Sequence, residues 1–265
     1  MKSTARNLLD RRQLLWTLVA SNLKRQNKNS NLGYLWWFLD PLLTTGVYYL
    51  LFTVMFAGSQ KKEDPFVLFI ICGMMPWKAF GDSVGQSVGA VFGASGLIKS
   101  INFPKAVLPI SLVLSNAVYF VFSLIVVFVV ALAYGERYGT WPSSAYLALP
   151  LVILLQLIFT MGLSYLVSIL GVFFMDTANI VGHIMQLWYF LSPGLYGVHR
   201  VPAHLLPWFR LNPFCGLMTS YRNIFMYHRF PEWIDLAYPL GIGLLTWAVG
   251  YALFRRFEGR VAQTL

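Results

Sequence analysis

Acidic side chains are scarce in this sequence, ten Asp and Glu among 265 residues against twenty Lys and Arg. Intramembrane chemistry on a metal-bound diphosphate needs clustered acids, and covalent catalysis needs a nucleophile with a base in reach. Neither cluster is visible, so no catalytic residue is assigned. The four histidines, His183, His199, His204 and His228, are scattered, and none pairs at i, i+3 or i+4 with a plausible ligand on a clear helical stretch. That pattern offers no metal site. Cys72 and Cys215 are the only cysteines, fall in different segments and lack metal-ligand spacing. They read as apolar packing residues rather than as a disulfide.

A phosphate-cradling loop is also missing. The stretch GASGLIKS, Gly93 to Ser100, has Ile98 where G-x-x-x-x-G-K-[ST] requires its second glycine. Without that glycine the backbone N–H groups cannot wrap a phosphate just before the lysine. The preceding Gly81, Gly85, Gly89 and Gly93 stand four apart, the spacing of a small-residue ridge on a helix rather than of a strand leading into a loop. No repeat at a fixed period and no low-complexity linker divides the chain, and no paired intramembrane carboxylates point to a secondary transporter. One membrane domain is expected.

What is abundant is apolar surface: 57% of residues are apolar and only 11% charged. Ala106 to Gly135 and Tyr138 to Met175 contain no Asp, Glu, Lys or Arg, and each exceeds the roughly 20 residues that span a bilayer. The hydropathy pattern predicts an all-α membrane protein with six spans. They run about Tyr34–Ala57, Phe66–Phe92, Ala106–Tyr134, Tyr146–Phe174, Ile180–Tyr196 and Ile234–Phe254. Ahead of them, residues 8–25 can form an amphipathic interfacial helix with Leu8, Leu9, Trp16, Val19 and Leu23 on one face, Arg12 snorkelling from its apolar side. No apolar run with a small-residue cleavage site follows the basic start, so a cleaved signal is not expected.

The net charge of +10 is carried by basic residues crowded near span ends, which topology and anionic lipid explain without nucleic acid. Basic clusters at both termini put both in the cytoplasm, in keeping with an even span count. The segment 197–233 holds Arg200, Arg210, Arg222 and Arg229 although it is assigned outside. Breaks at Pro202, Pro207, Pro213 and Pro231 make it a set of short re-entrant or interfacial half-helices, which the charge rule weighs poorly.

Few charges fall inside the spans: Asp40, Lys78, Asp82 and, at the start of the last, Asp235. Lys78 and Asp82 are four apart, and two readings fit: a neutralising structural pair, or, with Ser83, Gln86 and Ser87, the polar face of a pore. Asp40 precedes Pro41 and can bind backbone at the helix start. Aromatic residues make up 17% of the chain. Interfacial belts account for Trp36, Trp37, Trp208 and Trp233. Tyr48, Tyr49, Phe52, Phe80, Tyr119 and Phe122 fall deeper, and are open to lipid packing or to a lining on which sugar rings stack, as bases do.

Three stretches carry a family resemblance. LKRQNKNSNLGYLWWFLDPLL (Leu23 to Leu43), CGMMPWKAF (Cys72 to Phe80) and LNPFCGLMTSYRNIFM (Leu211 to Met226) occur in the order found in ABC-2 type permeases that export polysaccharides. The chain most resembles the O-antigen permeases among them. The resemblance implies residues 1–30 as a cytoplasmic N-terminal region and 31–265 as an ABC-2 type transmembrane domain in the inner membrane. It further implies a homodimer bound to two cytoplasmic nucleotide-binding subunits, exporting a lipid-diphosphate-linked glycan. ATP and magnesium would then be the partner's, with no cofactor in this chain.

On that resemblance, loop 93–105 would couple to the ATPase through Lys99, Ile101, Asn102, Phe103 and Lys105. Lys24, Arg25 and Lys28 would attract the lipid diphosphate, although their charge also suits a purely topological role. Tyr48, Tyr49, Phe52, Phe80, Tyr119, Phe122, Lys78 and Asp82 are channel-lining candidates. Asn212, Pro213, Tyr221 and Arg222 would belong to an outer gate, with a structural or gating role. The family often carries Arg-Asp after span four, where this chain has Met175-Asp176. Rival readings are an ABC-2 exporter of teichoic acid, drug or small lipid, and a membrane-embedded glycosyltransferase or phosphatase.

Overall fold

The computed structural model describes residues 12–27, 30–55, 65–101 and 103–264, and they form helices without any strand among them. Helix α1 (Arg12–Asn27) lies against the bundle. A 3-10 turn, Gly33–Leu35, leads into α2 (Trp36–Tyr49), which continues as a π-helical segment, Leu50–Met55. Then come α3 (Phe66–Val88), the short α4 (Ser95–Ser100) and α5 (Val107–Ala133). The chain continues through α6 (Leu149–Phe173), α7 (Thr177–Phe190), α8 (Leu206–Arg210), α9 (Pro213–Phe225) and α10 (Trp233–Thr264).

Among the described residues, four segments are long and apolar enough to cross a membrane: Phe66–Val88, Val107–Ala133, Ser144–Phe173 and Trp233–Gly259. They match four of the six expected spans. The other two are shorter. Helices α2 and α7 have 14 residues each, about 21 Å at 1.5 Å per residue, against a hydrocarbon core of about 30 Å. The π-helical continuation lengthens α2, while α7 ends in a turn at Leu191–Gly194.

Helix α3 forms the centre, with 78% of its most apolar stretch buried inside the subunit. Its neighbours are α5, α6, α7 and α9, and α10 packs chiefly on α6. Small residues permit that last contact: a methyl group at Gly162 would sit 2.5 Å from the Trp247 backbone nitrogen, and one at Gly250 would meet the Gly162 carbonyl oxygen. Close backbone approach of this kind replaces the hydrophobic drive that lipid cannot supply. The expected glycine ridge is different. Helix α3 ends at Val88, with Gly89 as its C-cap, and a methyl group at Gly85 or Gly93 would have nothing within 4 Å.

Val19 of α1 is buried, and Leu14 and Leu18 pack near Phe103, Leu108 and Leu112, whereas Trp16 is 54% exposed. The inward face is therefore Leu14–Leu18–Val19 rather than one that includes Trp16. Leu8 and Leu9 lie outside the described residues.

Candidate functional site

Four helices place polar side chains into one cleft at the end of the bundle that carries α1. On α3, Lys78, Asp82 and Gln86 recur every fourth residue and so share a face. Trp36 and Asp40 do the same on α2, and Asn116 and Tyr119, three apart, also share a face of α5. These rows, with Gln26 of α1, line a cavity of about 330 Å³. Lys78 Nζ lies 3.0 Å from Asp40 and 4.0 Å from Asp82. The closer partner thus comes from another helix. Asp40, read from sequence as a backbone ligand, instead bridges α2 to α3, because its helix turns that side chain toward Lys78. These groups are a third to a half exposed, so the pairs contribute at most about 1 kcal/mol each. Their consequence is partial neutralisation, one lysine set between two carboxylates inside an apolar helix set.

Amide side chains extend the cleft. Gln26 Nε2 donates to Asn116 Oδ1 at 3.4 Å, and Asn116 Nδ2 donates to Gln86 Oε1 at 3.3 Å. The Tyr119 hydroxyl donates to the Trp36 carbonyl at 3.2 Å, tying α5 to the start of α2. Gln86 also lines a second hollow, of about 440 Å³, beside Asn22, Arg25, Ser111 and the glycines 89, 93 and 96. Asn22 donates to Ser111 at 3.2 Å and accepts from Arg25 at 3.2 Å.

At the opposite end, Asn212 caps α9: its Oδ1 accepts from Phe214 N–H and from Trp188 Nε1, each at 3.0 Å. Its Nδ2 donates to Ser192 Oγ at 2.7 Å. Pro213 occupies the first turn, where a missing N–H costs nothing. Tyr221 donates to Gln156 Oε1 at 2.9 Å, and Gln156 donates to the Pro76 carbonyl at 2.9 Å. Arg222 is 3% exposed, donates to the carbonyls of Phe69 (3.2 Å) and Gly194 (2.9 Å), and lies 3.5 Å over the Phe69 ring. The Asn-Pro and Tyr-Arg elements therefore clamp α9 to α3, α6 and the turn after α7.

A family model described as ABC-2 type transporter matches residues 13–226, a stretch that contains both the cleft and this clamp. The chain belongs to the ABC-2 type transporter family. It is 39% identical over 230 residues to the O-antigen export system permease protein RfbA of Myxococcus xanthus, covering 86% of this chain and 85% of that protein. With the RfbA of Klebsiella pneumoniae the identity is 31% over 254 residues, 95% of both. The polysialic acid transport protein KpsM of Escherichia coli is 25% identical over 235 residues, 86% of both.

Within this ABC-2 chain the other candidates from sequence are dispersed. Lys24 and Arg25 are exposed on α1, and Lys99 and Ile101 are exposed on and just after α4. Phe103 is buried between Leu108 and Leu112, and the Lys105 backbone N–H donates to Glu258 of α10 at 2.7 Å. Phe80 is completely enclosed by Trp77, Phe159, Trp188 and Phe214, so here it fills the core and faces no open surface. Tyr48 is half-buried and Tyr49 exposed, while Phe122 packs against Trp37 with its ring tilted, centroids 4.8 Å apart. Lys28, Asn102 and the Phe52 side chain lie outside the described residues.

Sequence reasoning passed over Gln26, Asn116 and Gln156. All are neutral amides, invisible to a search for Asp, Glu, Lys and Arg. The signal was present nonetheless: Asn116 and Gln156 stand alone among apolar neighbours in two charge-free runs, and both are buried. A buried amide among apolar residues must find partners.

Proposed function

We propose that this chain is the membrane permease of an ATP-driven exporter that carries a lipid-diphosphate-linked polysaccharide across the cytoplasmic membrane. It works as a homodimer with two nucleotide-binding subunits. The observation that carries the reading is a polar cleft that borders the Arg25 hollow at Gln86, in a chain similar along most of its length to proteins named for O-antigen export and polysialic acid transport. A lipid-anchored glycan needs a polar surface within the membrane domain, and the cleft is one. The permease makes no covalent change in its cargo; ATP and magnesium belong to the partner subunit.

In this reading α2 with its π-helical continuation, and α7, complete six spans, with both termini cytoplasmic and α1 lying in the interface as an amphipathic helix. Residues 1–30 form the cytoplasmic N-terminal region and 31–265 the transmembrane domain. Lys24, Arg25 and Lys28 draw the diphosphate to the membrane surface by charge. The loop 93–105 meets the ATPase through its exposed Lys99 and Ile101, with Phe103 anchoring it to α1 and Lys105 anchoring it to α10. The half-helices of 197–233 gate the outer side, with Asn212, Pro213, Tyr221 and Arg222 as their fixed base.

The test is purification of the tagged permease from its native membranes. Co-purification of a P-loop subunit at equal stoichiometry, with ATPase activity, supports the transporter; glycan or phosphate chemistry by the permease alone refutes it.

A further inference from the structure

We infer that the Asp40–Lys78–Asp82 cleft is a sugar-binding subsite for the first residues of the glycan, next to the diphosphate. The inference rests on the lipid-linked-glycan reading above and deepens it.

Charge is the first argument. Asp40, Lys78 and Asp82 carry formally two negative charges and one positive, and their side chains remain 34%, 40% and 50% exposed although they lie on helices of the membrane domain. Such groups do not face hydrocarbon; they face water or a polar ligand. A net negative cleft repels a diphosphate. It suits neutral hydroxyl groups, for which carboxylate oxygens accept and the lysine ammonium donates.

Shape and chemistry supply the second. The cavity, of about 330 Å³, lies at the low end of the ~300–1,000 Å³ that small-molecule sites occupy. Trp36 and Tyr119 give it aromatic walls, and Gln86 and Asn116 add amides that both donate and accept. Flat aromatic faces beside bidentate polar groups match the two sides of a pyranose ring, one apolar and one hydroxylated.

The third argument is adjacency. Gln86 lines this cavity and the hollow that Arg25 borders. The hollow offers a guanidinium and open glycine backbone, features that suit the anion the cleft rejects. Cationic and sugar-type subsites thus stand side by side, in the order in which diphosphate and first sugar occur along a lipid-linked glycan.

The experiment measures binding of two probes to the purified full-length permease in lipid nanodiscs: polyprenyl diphosphate bearing one sugar, and the bare polyprenyl diphosphate. The native protein is expected to bind the glycosylated carrier roughly tenfold tighter, the effect of about one hydrogen bond to a charged group. Asp82→Asn and Trp36→Leu should each erase that preference, Trp36→Leu with the affinity for the bare carrier unchanged and Asp82→Asn with that affinity unchanged or raised as the repulsion is relieved, whereas Arg25→Gln should weaken both. Should Asp82→Asn misfold, it loses the bare carrier too, and Trp36→Leu, at an exposed position, decides. Equal affinity of the native protein for both probes, or a preference that survives in folded variants, overturns the subsite alone. A native protein that binds neither probe overturns the lipid-linked-glycan reading beneath it.

Discussion

Arg222 offers the sharpest test of how the far end of the bundle is held. Its guanidinium is buried, stacks over Phe69 and donates to two carbonyls on separate elements, Phe69 of α3 and Gly194 after α7. It also fills the space above Gly73, where a methyl group would lie 2.8 Å from its terminal nitrogen. Arg222→Met keeps the aliphatic stem but leaves both carbonyls without this donor, at about 1–3 kcal/mol each. Losing the cation–π contact adds up to about 2 kcal/mol. These contributions overlap, and about 4 kcal/mol is the expected total, the range found for breaking a buried charged contact. At roughly 2–4 °C per kcal/mol for a chain of this size, Tm of the purified protein should fall by on the order of 10 °C. Arg222→Lys should recover little, because an ammonium cannot span two carbonyls as a planar fork does. A Tm within about 2 °C of the native value for Arg222→Met, where each kcal/mol moves Tm by at least that much, would refute the clamp.

Three further outcomes are expected. Phe103→Ala should cost about 3–5 kcal/mol and lower Tm, since Phe103 is 4% exposed. Ile101→Ala, at a position 45% exposed, should leave Tm unchanged while reducing export per ATP hydrolysed; normal coupling in that variant would remove Ile101 from the ATPase contact. Gly162→Ala should destabilise the α6–α10 contact by about 1–3 kcal/mol, whereas Gly85→Ala, with open space around it, should stabilise slightly through lost chain entropy. A thermal-melt comparison decides, and equal shifts would mean that backbone approach is not what joins α6 to α10. Finally, Lys78→Met leaves two carboxylates without their cation and should reduce stability and export more than Asp40→Asn, which leaves one balanced pair. Equal losses would mean that the individual contact matters more than the charge balance.

The long spans were legible because each is written locally: an uninterrupted apolar run of more than 20 residues has few alternatives to a membrane helix. Ends and caps were harder. Pro213 reads as a break between half-helices, and α9 begins there. Continuity of hydropathy did not reveal that α7 would stop at Phe190, since Leu191 continues the apolar run and only the Ser-Pro-Gly that follows turns the chain. The four-residue glycine spacing was real as sequence. It failed as one ridge because Gly89 became the cap that ends the helix.

The cleft was legible only in part, for a reason that concerns charge. From one helix, Lys78 and Asp82 form an i,i+4 pair and invite the conclusion that the site is neutral and closed. Packing brings in Asp40, 38 positions earlier in the sequence, and it takes the closer contact. With it the site acquires a formal surplus of one carboxylate over its lysine. No period within α3 encodes that surplus, because it depends on which face α2 presents. Sequence periodicity can assign a residue to a face, but only the packing of faces sets the charge of the space between them, and that charge is what the inferred sugar subsite rests on.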